Sequence, residues 1–214
     1  MEQLNMIVKT EQMIRDSEES MMFLKPAAVE SDEYLWLCFR EGNHEAYSLL
    51  LRHHVNLLFN YGSKFSKDED FVKDCIQDVF FELWNRRDKI KQAACVKAYL
   101  FKALRLRIFR EQSKWKNTEL FEGTQIFEDF NIESHLIHEQ TSKEIAVKLK
   151  EILGSLPQRQ KEILYLHFFE DIDHEEIARI MGLNRQSVYN LLYRSITALR
   201  KKTELINFFN KLYS

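Results

Sequence analysis

The 214-residue sequence predicts an all-α fold, and three observations carry that expectation. Only 5 Gly and 2 Pro occur, too few to turn the many short strands of a sandwich, a barrel or a doubly wound sheet. Apolar residues recur instead at helical spacing over long segments. Hydrophobic residues make up 45% of the chain, which supports packed cores and excludes a disordered polymer. The expected architecture is two small helical domains joined by a flexible acidic linker, with a helix-turn-helix in the C-terminal domain.

The elements follow in order. Residues 1–30 are mixed in character and are expected to form a weakly ordered extension. They show no basic start followed by an apolar run, so no signal peptide is expected. No apolar run reaches the roughly 18 residues of a membrane span. From Ser31, "SDEYLWLCFREGNHEAYSLLLRHHVNLLFNYGSKF" predicts two helices separated near Gly42 and Asn43. "EDFVKDCIQDVFFELWNRRDKI" predicts a third and "VKAYLFKALRLRIFREQSKWK" a fourth. These form one domain, residues 31–117. Residues 118–140 lose the periodicity and gather Glu119, Glu122, Glu128, Asp129, Glu133 and Glu139 without a single Lys or Arg, as a linker would. A second helical domain follows at residues 141–214.

The net charge is −2, whereas a nucleic-acid-binding domain is usually basic. The charge is segregated, however. Lys97, Lys102, Arg105, Arg107, Arg110, Lys114 and Lys116 face only Glu111 between Val96 and Asn117. Arg179, Arg185, Arg194, Arg200, Lys201 and Lys202 outnumber the three acids of residues 173–202. Two positive segments therefore flank a negative connector, and the local field matters more than the sum. Cys38, Cys75 and Cys95 are odd in number and lack zinc spacing, which fits a reducing cytosol without a disulfide framework.

"DHEEIARIMGLNRQSVYNLLYRSITALRKK" reads as two helices with a tight break. Asp173 can cap the first, with Glu176 completing a capping-box-like pair. Ile177, Ala178 and Met181 form its buried stripe. Gly182 suits the left-handed position that ends a helix, and Asn184 caps the next. At about 100° per residue, Val188, Leu191, Leu192, Ser195 and Leu199 share the inner face of the second helix. Gln186, Asn190, Tyr193, Arg194 and Thr197 lie opposite, with Arg185 and Tyr189 on the flanks. Amides suit adenine and Arg suits guanine, so Arg185, Gln186, Tyr189 and Asn190 are placed near bases. Arg194, Lys201 and Lys202 are placed near phosphates. The bland alternative is the solvated face of a bundle helix. The preceding stretch "SLPQRQKEILYLHFFEDID" supplies an apolar wall of Ile163, Leu164, Leu166 and Phe168.

In the third helix, Val72, Ile76, Val79, Phe80 and Leu83 make the core face. Asp74, Asp78, Phe81, Asn85 and Asp88 lie opposite, with Gln77 and Trp84 at the margin. Phe81 among acids resembles an aromatic anchor with an acidic rim for a basic partner; packing on another helix of the domain is the alternative. The fourth helix interleaves cations with Tyr99, Phe101, Phe109 and Trp115. That pattern suits single-stranded DNA, although an amphipathic helix with a basic solvent side accounts for the spacing better. His135, His138 and Glu139 are the one metal-like cluster, but they lie in the linker without helical support. The adjacent His53 and His54 are expected to diverge on their helix. No phosphate loop or nucleophile motif appears, so neither cofactor nor metal nor enzymatic activity is expected.

Together the two halves resemble the extracytoplasmic-function (ECF) group of bacterial sigma factors, the promoter-reading subunits of RNA polymerase. "DCIQDVFFELWNRRDKI" is similar to the polymerase-binding helix of that family, and "KAYLFKALRLRIF" to its strand-opening helix. "LPQRQKEILYLHFFEDIDHEEIARIMGLNRQSVYNLLYRSITALRK" is similar to the domain that reads the upstream promoter element. The resemblance makes residues 31–117 sigma region 2 and residues 141–214 sigma region 4. It implies that Asp74, Gln77, Asp78, Phe81 and Trp84 dock on core RNA polymerase. It also implies that Lys102, Arg105 and Arg107 lie at the −10 element of promoter DNA and Arg185, Gln186, Tyr189, Asn190, Arg194, Lys201 and Lys202 at the −35 element, in a cytoplasmic protein. An anti-sigma factor is a further partner to consider. The family pattern "ARNLAID" places Asn and, four residues on, Asp in the strand-opening helix, where this chain has Leu106 and Arg110. A stand-alone helix-turn-helix regulator, independent of polymerase, is the alternative function.

Overall fold

The computed structural model describes residues 31–116 and 152–201. Every element among them is helical. The chain divides into two compact units, Met1–Gly123 and Thr124–Ser214. The expected N-terminal extension, most of the acidic linker's neighbourhood (117–151), the linker itself, the His135–His138 cluster and Lys202 lie outside the described residues.

The first unit contains α1 (Asp32–Arg40), α2 (His44–Gly62), α3 (Glu69–Asn85) and α4 (Val96–Lys116). Each of the first three begins at a side-chain cap that satisfies backbone N–H groups the helix cannot pair itself. Ser31 accepts from the Tyr34 N–H, Asn43 from those of Glu45 and Ala46, and Asp68 from that of Phe71. Gly42 adopts φ 92°, a conformation open to glycine, and turns the chain from α1 into α2. α2 packs against each of the other three helices. Its last residue, Gly62, is required by that packing: an added Cβ would stand 2.6 Å from Val72 Cγ1 of α3.

The inner face expected of α3 is the inner face found. Val72, Ile76, Val79, Phe80 and Leu83 are all buried, and Tyr47 of α2 donates its hydroxyl to the Phe80 carbonyl at 3.1 Å. Cys75 is buried beside them, and burial pushes its thiol up to about 12. It is therefore an inert apolar residue. His53 and His54 depart from expectation. Rather than diverging, both face Asp32 at the start of α1, at 3.1 Å and 2.9 Å. α1 folds back over α2 and brings its first carboxylate between the rings. The His54 contact is close but poorly aligned for a hydrogen bond. His54 is buried, and that desolvation, against the pull of Asp32, lowers its pKa.

The second unit contains α5 (Gln158–Leu164), a π-helical turn (Tyr165–Phe169), α6 (His174–Met181) and α7 (Arg185–Lys201). Ile163, Leu164 and Leu166 are buried as expected, but Phe168 is 61% exposed. Two helical steps carry Phe168 to nearly the opposite side from Leu166, so the face that buries Leu166 leaves Phe168 outward. Tyr165 stays buried and donates to Glu170 Oε1 at 2.6 Å. Ile177, Ala178 and Met181 of α6 are buried, as are Val188, Leu192 and Ser195 of α7.

Candidate partner and nucleic-acid interfaces

The turn between α6 and α7 is built by local chemistry. Asp173 accepts from the Glu175 and Glu176 N–H groups, both at 2.8 Å. The reciprocal half of the expected capping box is absent, because the Glu176 carboxylate turns instead to Arg179, one turn along. Gly182 adopts the left-handed conformation at φ 64° and closes α6. Asn184 then accepts from the Ser187 N–H at 2.8 Å and opens α7. Three residues therefore separate two helices that pack on each other.

That packing leaves one long side of α7 in solvent. Arg185, Gln186, Tyr189, Asn190, Arg194 and Lys201 are all exposed. The structure brings the first four into two linked pairs. Arg185 Nη2 donates to the Tyr189 hydroxyl at 3.4 Å, and Arg185 Nη1 reaches Glu175 Oε1 of α6 at 3.3 Å. Gln186 Nε2 donates to Asn190 Oδ1 at 3.2 Å. Tyr193, placed on this side by its spacing, is 72% exposed and extends the surface beyond the residues assigned to bases and phosphates. The part played by Glu175 was not legible there. It stands ten residues before Arg185, and only the tight turn brings the two together. His174 is half-buried beneath this surface, with its ring 4.6 Å from that of Tyr189.

The first unit distributes its candidate residues differently. Asp74 is exposed and Gln77, Asp78 and Phe81 are half-buried, so the outer side of α3 presents an aromatic ring among acids. Trp84 does not belong to that surface. It is buried against Phe39 and Tyr47, with His44 and the Arg87 guanidinium covering its faces. The folding of α1 and α2 across the end of α3 takes this ring into the core.

On α4, Lys102 is exposed and Arg105 stacks on Phe109 at 4.6 Å. Arg107 is not open to solvent as expected. Its side chain is 19% exposed and pairs with Asp78 and, at 2.7 Å, with Glu82, both on α3. Glu111 Oε1 lies 3.3 Å from its Nε. A residue expected at the DNA and a residue expected at the polymerase are thus bound to each other. Of the interleaved aromatics, Phe101 is fully buried and Phe109 packs on Phe65. Tyr99 is more open, at 37% exposure, and the side chain of Trp115 lies outside the described residues. Leu106, at the position that departs from the family pattern, is 50% exposed.

Among the described residues no group of three or more His, Cys, Asp or Glu could hold a metal ion. No helix there is long and apolar enough to cross a membrane.

Comparison with known proteins places these two units in one family. The family profile described as Sigma-70 region 2 matches residues 50–116, and that described as Sigma-70, region 4 matches residues 146–199. The two together span more than half of the chain. The sigma factor SigV of Bacillus subtilis is 27% identical over 150 residues, covering 69% of this chain and 84% of that protein. YlaC of the same species is 22% identical over 155 residues, covering 71% and 88%. Among solved structures, CnrH in complex with the cytosolic domain of CnrY matches with a TM-score of 0.56 at 18% identity, over 82% of this chain and 98% of that one. The sigma factor RpoE of Bartonella quintana, in complex with the anti-sigma factor NepR, matches with a TM-score of 0.53 at 19% identity, over 76% and 98%. These structural likenesses support the all-α fold. The chain belongs to the sigma-70 family of RNA polymerase sigma factors. Its two matched regions and its likeness to SigV and YlaC make it a factor of the ECF type, which directs promoter-specific transcription initiation and is not an enzyme.

Proposed function

We propose that the chain carries out this function by dividing the work between its two units. The outer side of α3, with Asp74, Gln77, Asp78 and Phe81, docks on a basic surface of core RNA polymerase. Lys102 and Arg105 of α4 contact the strands opened at the −10 element. Exposed Arg185, Gln186, Tyr189 and Asn190 meet bases of the −35 element in the major groove, while Arg194, Lys201 and Lys202 contact phosphates. Residues 118–140 connect the two as an acidic linker between region 2, residues 31–117, and region 4, residues 141–214. The protein works in the cytoplasm. The relatives crystallised with CnrY and with the anti-sigma factor NepR make an anti-sigma protein a natural further partner.

The observation that carries this reading is the contrast on α7. Its inner side buries Val188, Leu192 and Ser195, and its outer side holds amides, tyrosines and arginines with no acid among them. A solvated bundle helix usually interleaves acids with its bases.

Docking is tested with Phe81→Ala combined with Asp74→Arg, followed by co-purification with core polymerase. Asp74 is preferred to Asp78 because Asp78 also braces Arg107. The variant is expected to fold normally and lose co-purification. Undiminished binding would remove the α3 assignment. Run-off transcription by the reconstituted holoenzyme on genomic fragments then identifies the promoters.

A further inference from the structure

We propose that Gln186 selects an adenine in the upstream element, and that Asn190 acts as a positioning residue that holds the Gln186 amide in the polarity adenine requires. The proposal rests on the assignment of α7's outer side to base reading and narrows it: Asn190 supports the reading amide instead of meeting a base of its own.

The argument begins with the ambiguity of an amide. In the major groove adenine offers an acceptor, N7, beside a donor, the N6 amine. A side-chain amide complements that pair only with its oxygen toward N6 and its nitrogen toward N7. An unsupported Gln on a helix surface meets this condition in few of its states. Its last torsion is broad and roughly two-fold, so oxygen and nitrogen exchange places.

The structure supplies the missing constraint. Gln186 and Asn190 stand one turn apart, both exposed, and Gln186 Nε2 donates to Asn190 Oδ1 at 3.2 Å. An amide nitrogen carries two hydrogens. The one held by Asn190 leaves the other, together with Oε1, available to a base. In the structure it is the nitrogen end of the Gln186 amide that meets Asn190, and Oε1 is left to the base. Guanine presents two acceptors at the same positions. The oriented Oε1 would face one of them with no proton between, so the arrangement rejects guanine as well as fitting adenine. Ordering the side chain before DNA arrives also lowers the entropy lost on binding.

The test uses holoenzyme reconstituted from the full chain and core polymerase. Run-off transcription is read on a promoter recovered from genomic fragments, with its upstream element randomised. The native factor is expected to select adenine at one base pair. Gln186→Ala and Asn190→Ala are each expected to relax that preference about tenfold, at the same base pair and no other. The double variant relaxes it no further. Asn190→Asp keeps an accepting oxygen and retains the preference even where added charge lowers overall activity. Gln186→Glu, an acceptor only, shifts the selected base toward cytosine, whose N4 amine is a donor.

Relaxation at a different base pair on Asn190→Ala means that Asn190 reads its own base, and it overturns the proposal while leaving base reading by α7 intact. A relaxed preference in Asn190→Asp overturns it in the same way. If both alanine variants instead lower transcription equally on every sequence, α7 touches only backbone there, and the underlying assignment fails with the proposal. Alanine variants with unaltered preference and activity have the same consequence.

Discussion

The two units treat their candidate residues in opposite ways. In the first, residues at the margin of a helix face are recruited by the fold: Trp84 is buried and Arg107 is gripped by three carboxylates. In the second, the expected reading residues that are described all stand in solvent. The difference follows from where the neighbours lie, since each helix packs on two others: α3 on α2 and α4, α7 on α5 and α6. At α3, Phe39, His44 and Tyr47 close over Trp84, and Arg107 of α4 reaches Asp78 and Glu82, so contacts extend past the narrow stripe that spacing identifies. At α7, among the described residues, the side that carries Gln186, Asn190, Tyr193 and Arg194 is exposed. A binding surface whose margins stay uncovered can therefore be read from spacing, whereas one whose margins are covered needs the tertiary fold.

The sharpest way to break this comparison is Trp84→Ala. Truncating a buried aromatic of this kind costs about 3–5 kcal/mol, so urea unfolding should show a large loss of stability. Polymerase binding should weaken only as the folded fraction falls. A stable Trp84→Ala protein that fails to bind polymerase would return this ring to the interface.

Arg107→Ala comes next. It leaves Asp78, Glu82 and Glu111 without their shared cation, and two of these carboxylates are nearly half exposed. Water therefore compensates part of the loss, and a cost of about 1–2 kcal/mol is expected, smaller in high salt. If stability is unchanged and promoter opening alone suffers, the arginine serves DNA rather than the fold.

A smaller effect concerns pH. Burial holds the His54 pKa below its ordinary 6.5 despite the Asp32 carboxylate. The native state therefore binds this proton more weakly than the unfolded chain does. The stability contributed by neutral His54 is complete above about pH 6.5 and declines as pH falls below it. Unfolding midpoints of the native chain between pH 7.5 and 5 should fall, and His54→Gln should flatten that slope. A steeper slope in the variant would contradict the assigned direction.

The smallest effect on stability is expected from Arg194→Ala in the second unit, within about 0.5 kcal/mol. Holoenzyme carrying it should bind all upstream sequences more weakly, with the salt slope reduced by about one. A change in base preference would move Arg194 from the phosphates to the bases.

Much of the fold was legible because its signals are local. Gly42, Asn43, Asp173, Gly182 and Asn184 mark helix ends through their own backbone and side-chain chemistry, and each does so in the structure. The inner faces of α3 and α6 were legible because helical geometry repeats every few residues. Phe168 was misplaced because its apolar character suggests a place in the wall, while two helical steps from Leu166 carry it to nearly the opposite side. His53 and His54 were expected to diverge because a helix viewed alone separates neighbours; Asp32 arrives from another helix. The outer side of α7 was legible residue by residue, while its pairing with Glu175 depended on the turn.

The sequence by itself determined the helices, their caps, the segregation of charge and the family to which the chain belongs, since each is encoded in nearby residues or in their order. Only the tertiary structure decided which outward-looking side chains remain available to a partner. Exposure is a property of the neighbouring helices as much as of the residue, and those neighbours come from distant parts of the chain.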